Sequence, residues 1–178
     1  EQATTMPFIG DVPKSVSNEA IISSSSRTST AEALRIVRTN LEFLLNEVPE
    51  GIAKTIFLTS TFPKEGKTFI SVNLASTIAL SDKKVLLLGL DIRNPKLEEY
   101  LDVPKVGVTN YLASKDHKNS ADFLTKVEGF SNFYVMPAGV IPPNPAELLM
   151  GKKVPELFEQ LKQEFDYIIV DTAPVSLV

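Results

Sequence analysis

Four short apolar runs constrain this chain more than any other feature: AKTIFLT at 53–59, KVLLLGL at 84–90, NFYVMP at 132–137 and DYIIV at 166–170. Each has the length of a single strand. KVLLLGL is apolar throughout, as a parallel strand covered on both faces should be. The stretches between them carry apolar residues at helical spacing. Leu34, Val37, Leu41, Leu44 and Leu45 predict a helix from Thr30 to Asn46, capped by Thr30 and ended by Pro49 and Gly51. Ile70, Leu74 and Ile78 predict a second, from Lys67 to Leu80, with one apolar face. Short helices are expected over 107–127, and more helix over Ala146–Met150 and Val154–Phe165. Such alternation predicts an α/β domain: a mostly parallel β-sheet with helices on both faces. The 178 residues suffice for one such domain with its own core. Residues 1–29 read as an extended lead-in, interrupted by Pro7, Gly10 and Pro13 and containing a flexible polar run at Ser23–Ser26. The domain itself spans 30–178.

The chemistry lies in the loops that follow the strands. TSTFPKEGKTFIS (59–71) joins the first strand to a helix and ends in Gly66-Lys67-Thr68. In a phosphate-binding loop, successive backbone N–H groups curl around a phosphate at a helix N-terminus, and the lysine adds positive charge. The hydroxyl after the lysine ligates Mg²⁺. Phe62, Pro63, Lys64, Glu65, Gly66, Lys67, Thr68 and Phe69 are therefore the candidate nucleotide-binding residues. Thr61 stands where the usual G-x-x-x-x-G-K-[ST] pattern opens with glycine. Asp91 and Asp171 close the second and fourth strands, at the carboxyl edge where ligands sit in open parallel sheets. Singly, a strand-end aspartate is more often a turn former. Together with Gly-Lys-Thr in one alternating pattern, the two carboxylates and Thr68 make a Mg²⁺-nucleotide site.

Composition removes other classes. There is no cysteine, so disulfides and cysteine-bound metals are excluded. A net charge of −4 gives no electrostatic footprint for nucleic acid. No apolar run reaches the ~18 residues of a membrane span, and no signal peptide opens the chain. It begins at Glu1 rather than Met and stops at Val178 in an apolar stretch, so it reads as part of something longer.

With these residues in hand, the chain resembles the cytoplasmic kinase domain of the bacterial tyrosine kinases that regulate capsule and exopolysaccharide synthesis, which use a P-loop NTPase-like fold. PFIGDVP (7–13) is similar to that family's lead-in and EALRIVRTNLEFL (32–44) to its first helix. TSTFPKEGKT is similar to its Walker A motif, in which a small hydroxyl residue commonly replaces the first glycine. VLLLGLDIRNPKL (85–97) resembles its A-prime motif, and IPPNPAELL (141–149) and YIIVDTAP (167–174) follow in order. The resemblance implies ATP and Mg²⁺ as cofactors. Lys67 would stabilise the transferring phosphoryl group, and Thr68, Asp91 and Asp171 would hold the metal. Asp91 and Arg93 would act at the acceptor hydroxyl. The family's A-prime motif often reads Asp-x-Asp-x-Arg, and here its first position is Gly89.

The resemblance also implies self-association through Glu32, Arg35 and Arg38, which step by three along one helix face. Read without it, they are a solvated charged face with an i,i+3 pair. A tyrosine-rich tail of a neighbouring subunit would be the acceptor, and a membrane polysaccharide co-polymerase domain, fused or separate, the partner. That places the chain at the cytoplasmic face of the inner membrane, with no role for nucleic acid. Tyr100, Tyr111, Tyr134 and Tyr167 do not resemble such a tail; the last two read as core. His117 reads as an exposed loop residue. Two alternatives stand beside the kinase. A ParA/MinD-type ATPase switch usually carries a signature lysine where this loop has Phe62. A non-catalytic module would bind nucleotide only to assemble.

Overall fold

The structure, a computed structural model, describes residues 6–15, 20–114 and 119–177. His117 and Val178 lie outside them. The chain runs α1 (Ser29–Leu44), β1 (Lys54–Leu58), α2 (Lys67–Ala79), β2 (Val85–Gly89), α3 (Val108–Ala113), β3 (Thr125–Lys126), β4 (Phe133–Met136), α4 (Pro145–Leu149), α5 (Lys153–Glu164) and β5 (Tyr167–Asp171). The strands form one sheet in the order β1-β5-β2-β4-β3. All pairs are parallel except β3–β4.

The sheet has two apolar faces because side chains alternate along each strand. Val85 and Leu87 of β2 join Leu74, Ile78, Phe133 and Ile169 in the core under α2 and α1. Leu86 and Leu88 point the other way, onto Leu157 and Leu161 of α5 and Tyr111 of α3. Helices therefore cover both faces.

Several local expectations change. Thr28, not Thr30, caps α1: its hydroxyl accepts the Ala31 N–H at 3.2 Å. Thr30 is buried and donates to the Pro13 carbonyl at 3.3 Å. Ser23–Ser26 is a hydrogen-bonded turn rather than a flexible run, closed by the Ser26 N–H on the Ser23 carbonyl at 3.2 Å, and Ser26 is buried. Among the described residues β1 is an edge strand rather than a fully buried one, paired only with β5, and Phe57 is 60% exposed on it. α2 is buried nearly all round instead of along one stripe, because α1 and the lead-in cover what the sheet does not. Its Asn73 anchors the lead-in, accepting the Ile22 N–H at 2.7 Å and donating to the Ala20 carbonyl at 3.2 Å. The region 107–127 holds the helix α3 and a 3-10 turn, and it also holds β3, the antiparallel strand.

Candidate active site

β1 delivers the chain to the loop 59–66, and α2 starts at Lys67. Gly66 is its N-cap, at φ +89°, and no side chain caps the helix. The first-turn N–H groups are thus left without a side-chain partner, the arrangement that receives a phosphate. Among the described residues the loop's left-handed positions are Lys64, at φ +68°, and Gly66. Thr61 is not one of them. No glycine is required where the usual pattern opens, because the backbone there is not left-handed.

Asp171, the last residue of β5, is the hub. Its Oδ1 accepts Lys67 Nζ at 2.6 Å and the Ser71 hydroxyl at 2.9 Å, and its Oδ2 accepts the Thr68 hydroxyl at 3.0 Å. The carboxylate is 2% exposed and the lysine side chain 8%. Three donors from the first turns of α2 therefore converge on one buried negative charge. Ser71 belongs to none of the motifs. Its signal was a hydroxyl one turn after Lys67, on the same side of the helix start.

Asp91 is tied to the same strand end. The N–H groups of Leu90 and Asp91 both donate to the Asp171 carbonyl, at 2.9 and 3.0 Å. The Asp91 side chain is buried, and its Oδ1 accepts the Asn94 N–H at 3.1 Å. Lys67, Thr68 and Asp91 line one open cleft of about 540 Å³, whose far wall includes Lys96, Glu99 and Tyr100. Burial pushes the Tyr100 hydroxyl above its ordinary value, and the Glu99 and Asp171 carboxylates add to that shift. Its phenol stays neutral at physiological pH.

The other predicted residues stand further out. Phe62 is 60% exposed. Glu65 folds back within the loop, its Oε2 accepting the Phe62 N–H at 3.0 Å. Pro63 and Lys64 line the cleft. Phe69 faces Tyr100 with ring centroids 6.2 Å apart. Arg93 is exposed on the turn after Asp91.

Gly89 sits opposite Asp171 in the β2–β5 register. A Cβ there would lie 3.0 Å from both the Ala138 backbone nitrogen and Leu97 Cδ1. Space, not backbone conformation, therefore limits this position. Gly89→Asp is expected to cost about 1–3 kcal/mol through overpacking, seen as a lower urea midpoint. An unchanged midpoint would show that the pocket yields.

On α1, Arg35 Nη1 meets Glu32 Oε1 at 2.5 Å, and Nη2 donates to the Ser26 carbonyl at 2.8 Å. Arg38 turns towards α2, donating to the Thr77 carbonyl at 3.1 Å, with Glu42 at 3.7 Å. The i,i+3 pair is present, while Arg38 is an interhelical contact rather than part of a solvated face.

Comparison with known proteins places this geometry in context. A family model described as an AAA domain matches residues 53–177. The tyrosine-protein kinase etk of Escherichia coli strain K12 is 38% identical over 151 residues, covering 84% of this chain and 20% of that protein. The chain thus spans about a fifth of that relative's length. The solved structure of the BceF tyrosine kinase domain superposes with a TM-score of 0.79 at 30% identity, covering 95% of this chain and 72% of that one. The septum site-determining protein MinD of Pyrococcus horikoshii, solved with Mg-ADP, matches less well. Its TM-score is 0.55 at 25% identity, over 69% of this chain and 49% of that one. The fold is that of nucleotide-binding P-loop proteins.

Proposed function

This chain belongs to the AAA-domain family and, within it, to the bacterial tyrosine-kinase domains, and from that premise we propose that it transfers the γ-phosphoryl group of ATP to tyrosine in a system controlling capsule or exopolysaccharide assembly. The observation that carries this reading is the convergence of Lys67, Thr68 and Ser71 on Asp171, with Asp91 on the wall of the same cleft. Residues 30–178 would be the catalytic part and 1–29 its lead-in.

The residues fit a magnesium-bound triphosphate. The Asp171 carboxylate occupies an anion position ringed by an ammonium and two hydroxyls, and the cap-free start of α2 offers further donors. Thr68 and Asp171 would hold Mg²⁺, which supplies charge neutralisation of the phosphates. Phosphoryl transfer asks a protein mainly for positioning and charge stabilisation. Lys67 would leave its ion pair with Asp171 to face the transferring group. Asp91 would take the acceptor tyrosine's proton as the new oxygen–phosphorus bond forms and the bond to ADP breaks. Its Oδ1 already holds the Asn94 N–H, and among the described residues nothing bonds Oδ2. Arg93, two residues after Asp91, would contact the acceptor side.

Incubation with ATP–Mg²⁺ followed by anti-phosphotyrosine blotting tests the reading, using a tyrosine-rich tail peptide as acceptor. Phosphotyrosine that depends on Lys67 supports it. ATP hydrolysis without phosphotyrosine would favour the ATPase switch. That alternative keeps its place through the MinD likeness, although Phe62 fills the signature-lysine position.

The acceptor would be the tail of a neighbouring subunit, presented by self-association through Glu32, Arg35 and Arg38, and a membrane co-polymerase domain would hold the ring at the cytoplasmic face of the inner membrane. No helix among the described residues is long and apolar enough to cross a membrane. Arg35→Ala with Arg38→Ala is expected to lower the mass seen by light scattering. It should also cost a little stability, because both guanidinia hold backbone carbonyls. An unchanged mass at equal fold would remove these residues from the interface.

A further inference from the structure

On the lead-in side of the phosphate loop lies a second open cleft, of about 550 Å³, between residues 12–15 and the loop. None of Lys67, Thr68, Asp91 or Asp171 lines it. Its apolar surface comes from Val12, Phe69 and Ile70, and Lys14 and Lys64 stand at it from opposite segments. The two clefts share Lys64, Gly66 and Tyr100, so one opens into the other beside the loop's glycine.

The charges around this cleft are lopsided. Its carboxylate, Glu65, is already turned onto the Phe62 N–H. Glu99, across Tyr100, is paired with Lys96. Lys14 and Lys64 are exposed, and among the described residues neither has a hydrogen-bond or ion-pair partner. A chain with a net charge of −4 thus presents two unpaired ammonium groups on either side of an apolar trough. The backbone of Lys64 adds a second, independent observation. Its φ of +68° is left-handed, a conformation that L side chains avoid and glycine accepts freely. Backbone strain of this kind clusters at functional sites.

We propose that the outer cleft is the docking groove for the phosphate acceptor: an extended segment bearing a tyrosine with carboxylates beside it. Lys14 and Lys64 pair with those carboxylates, the segment's apolar side chains rest on Val12 and Ile70, and the tyrosine passes Gly66 into the phosphate cleft. The Phe69–Tyr100 pair forms an aromatic wall for the incoming ring. This rests on the kinase reading, whose reaction it supplies with an acceptor of stated chemistry.

Two fluorescent peptides of equal length test it, one with tyrosine flanked by glutamates and one with lysines in their place. Anisotropy with the full chain reads binding, and transfer from ATP–Mg²⁺ reads KM for each. Exposed ion pairs contribute modestly, so about a tenfold preference for the acidic peptide is expected, in Kd and in KM. Lys14→Glu should shrink that ratio, and Lys14→Glu with Lys64→Glu should invert it. Lys64→Gly should shrink it too, while raising the urea midpoint as the left-handed strain is relieved. Equal affinity for the two peptides, or a ratio unmoved by charge reversal, overturns the proposal. So does displacement of the acidic peptide by ADP–Mg²⁺, which would assign the groove to the nucleotide. A binding preference with no transfer to either peptide would support the groove and count against the kinase reading alone.

Discussion

Asp171→Ala is expected to lower folding stability by about 3–5 kcal/mol, the cost of leaving a buried charge without its partner. Lys67 would bear that cost, because its side chain is 8% exposed and its ammonium lies 2.6 Å from the carboxylate. The hydroxyls of Thr68 and Ser71 would also lose their acceptor. Urea denaturation with an unchanged m-value reads the loss directly. Asp171→Asn should cost less, since an amide oxygen can still accept from a hydroxyl. Lys67→Met should be costly for the converse reason, stranding a carboxylate that is 2% exposed. The double variant, Lys67→Met with Asp171→Asn, is expected to lose less than the sum of the singles, because the two residues touch. An Asp171→Ala chain that unfolds at the same urea concentration as the parent would mean that this pair does not form in solution. Magnesium-nucleotide added to the parent should raise its midpoint by mass action, and should do so far less for either single variant.

The parts of this fold that were legible in the sequence are those with a local period. KVLLLGL announced a strand covered on both faces, and β2 is buried throughout. The helical spacing after Lys67 announced α2, and Gly66-Lys67-Thr68 marked the loop at which the candidate site lies. What escaped depends on partners far away in the chain. AKTIFLT looked buried because its residues are apolar, yet β1 lies at the sheet edge, a fact of strand order that no window of sequence contains. β3 is two residues long, too short to show any period. Thr30 looked like the cap because it precedes the periodic residues, but the lead-in draws its hydroxyl to Pro13 and leaves the cap to Thr28. The site was recovered unevenly for the same reason. Lys67, Thr68, Asp91 and Asp171 carry a motif, whereas Ser71 reaches Asp171 only because α2 brings it there, and Tyr100 reaches the cleft only because the 3-10 turn at Leu97–Glu99 does. Arg38 kept its charge-face appearance until α2 supplied the Thr77 carbonyl.

Asp91→Asn is expected to reduce tyrosine phosphorylation by about 10²–10⁴-fold, the range for losing a positioned general base, with nucleotide affinity changed only a few-fold. The substitution is nearly isosteric, and its side-chain oxygen can still accept the Asn94 N–H that Asp91 Oδ1 holds at 3.1 Å. The turn should survive. So should its tether to β5, which runs through main-chain groups: the Asp91 N–H on the Asp171 carbonyl. Thr68 and Asp171 remain for the metal, and Mg²⁺ accepts one or two carboxylates with water completing its shell. What disappears is the proposed proton acceptor. No neighbouring carboxylate can take over from the first A-prime position, because Gly89 stands there with a backbone nitrogen and a leucine methyl 3.0 Å from where its Cβ would be. In the proposed reaction Asp91 would therefore carry the step alone. Quantitative phosphotyrosine detection beside a nucleotide-binding titration separates the two effects. Undiminished phosphotyrosine in the variant would remove Asp91 from the chemistry. A parallel collapse of nucleotide binding would instead recast it as a metal ligand whose loss empties the site.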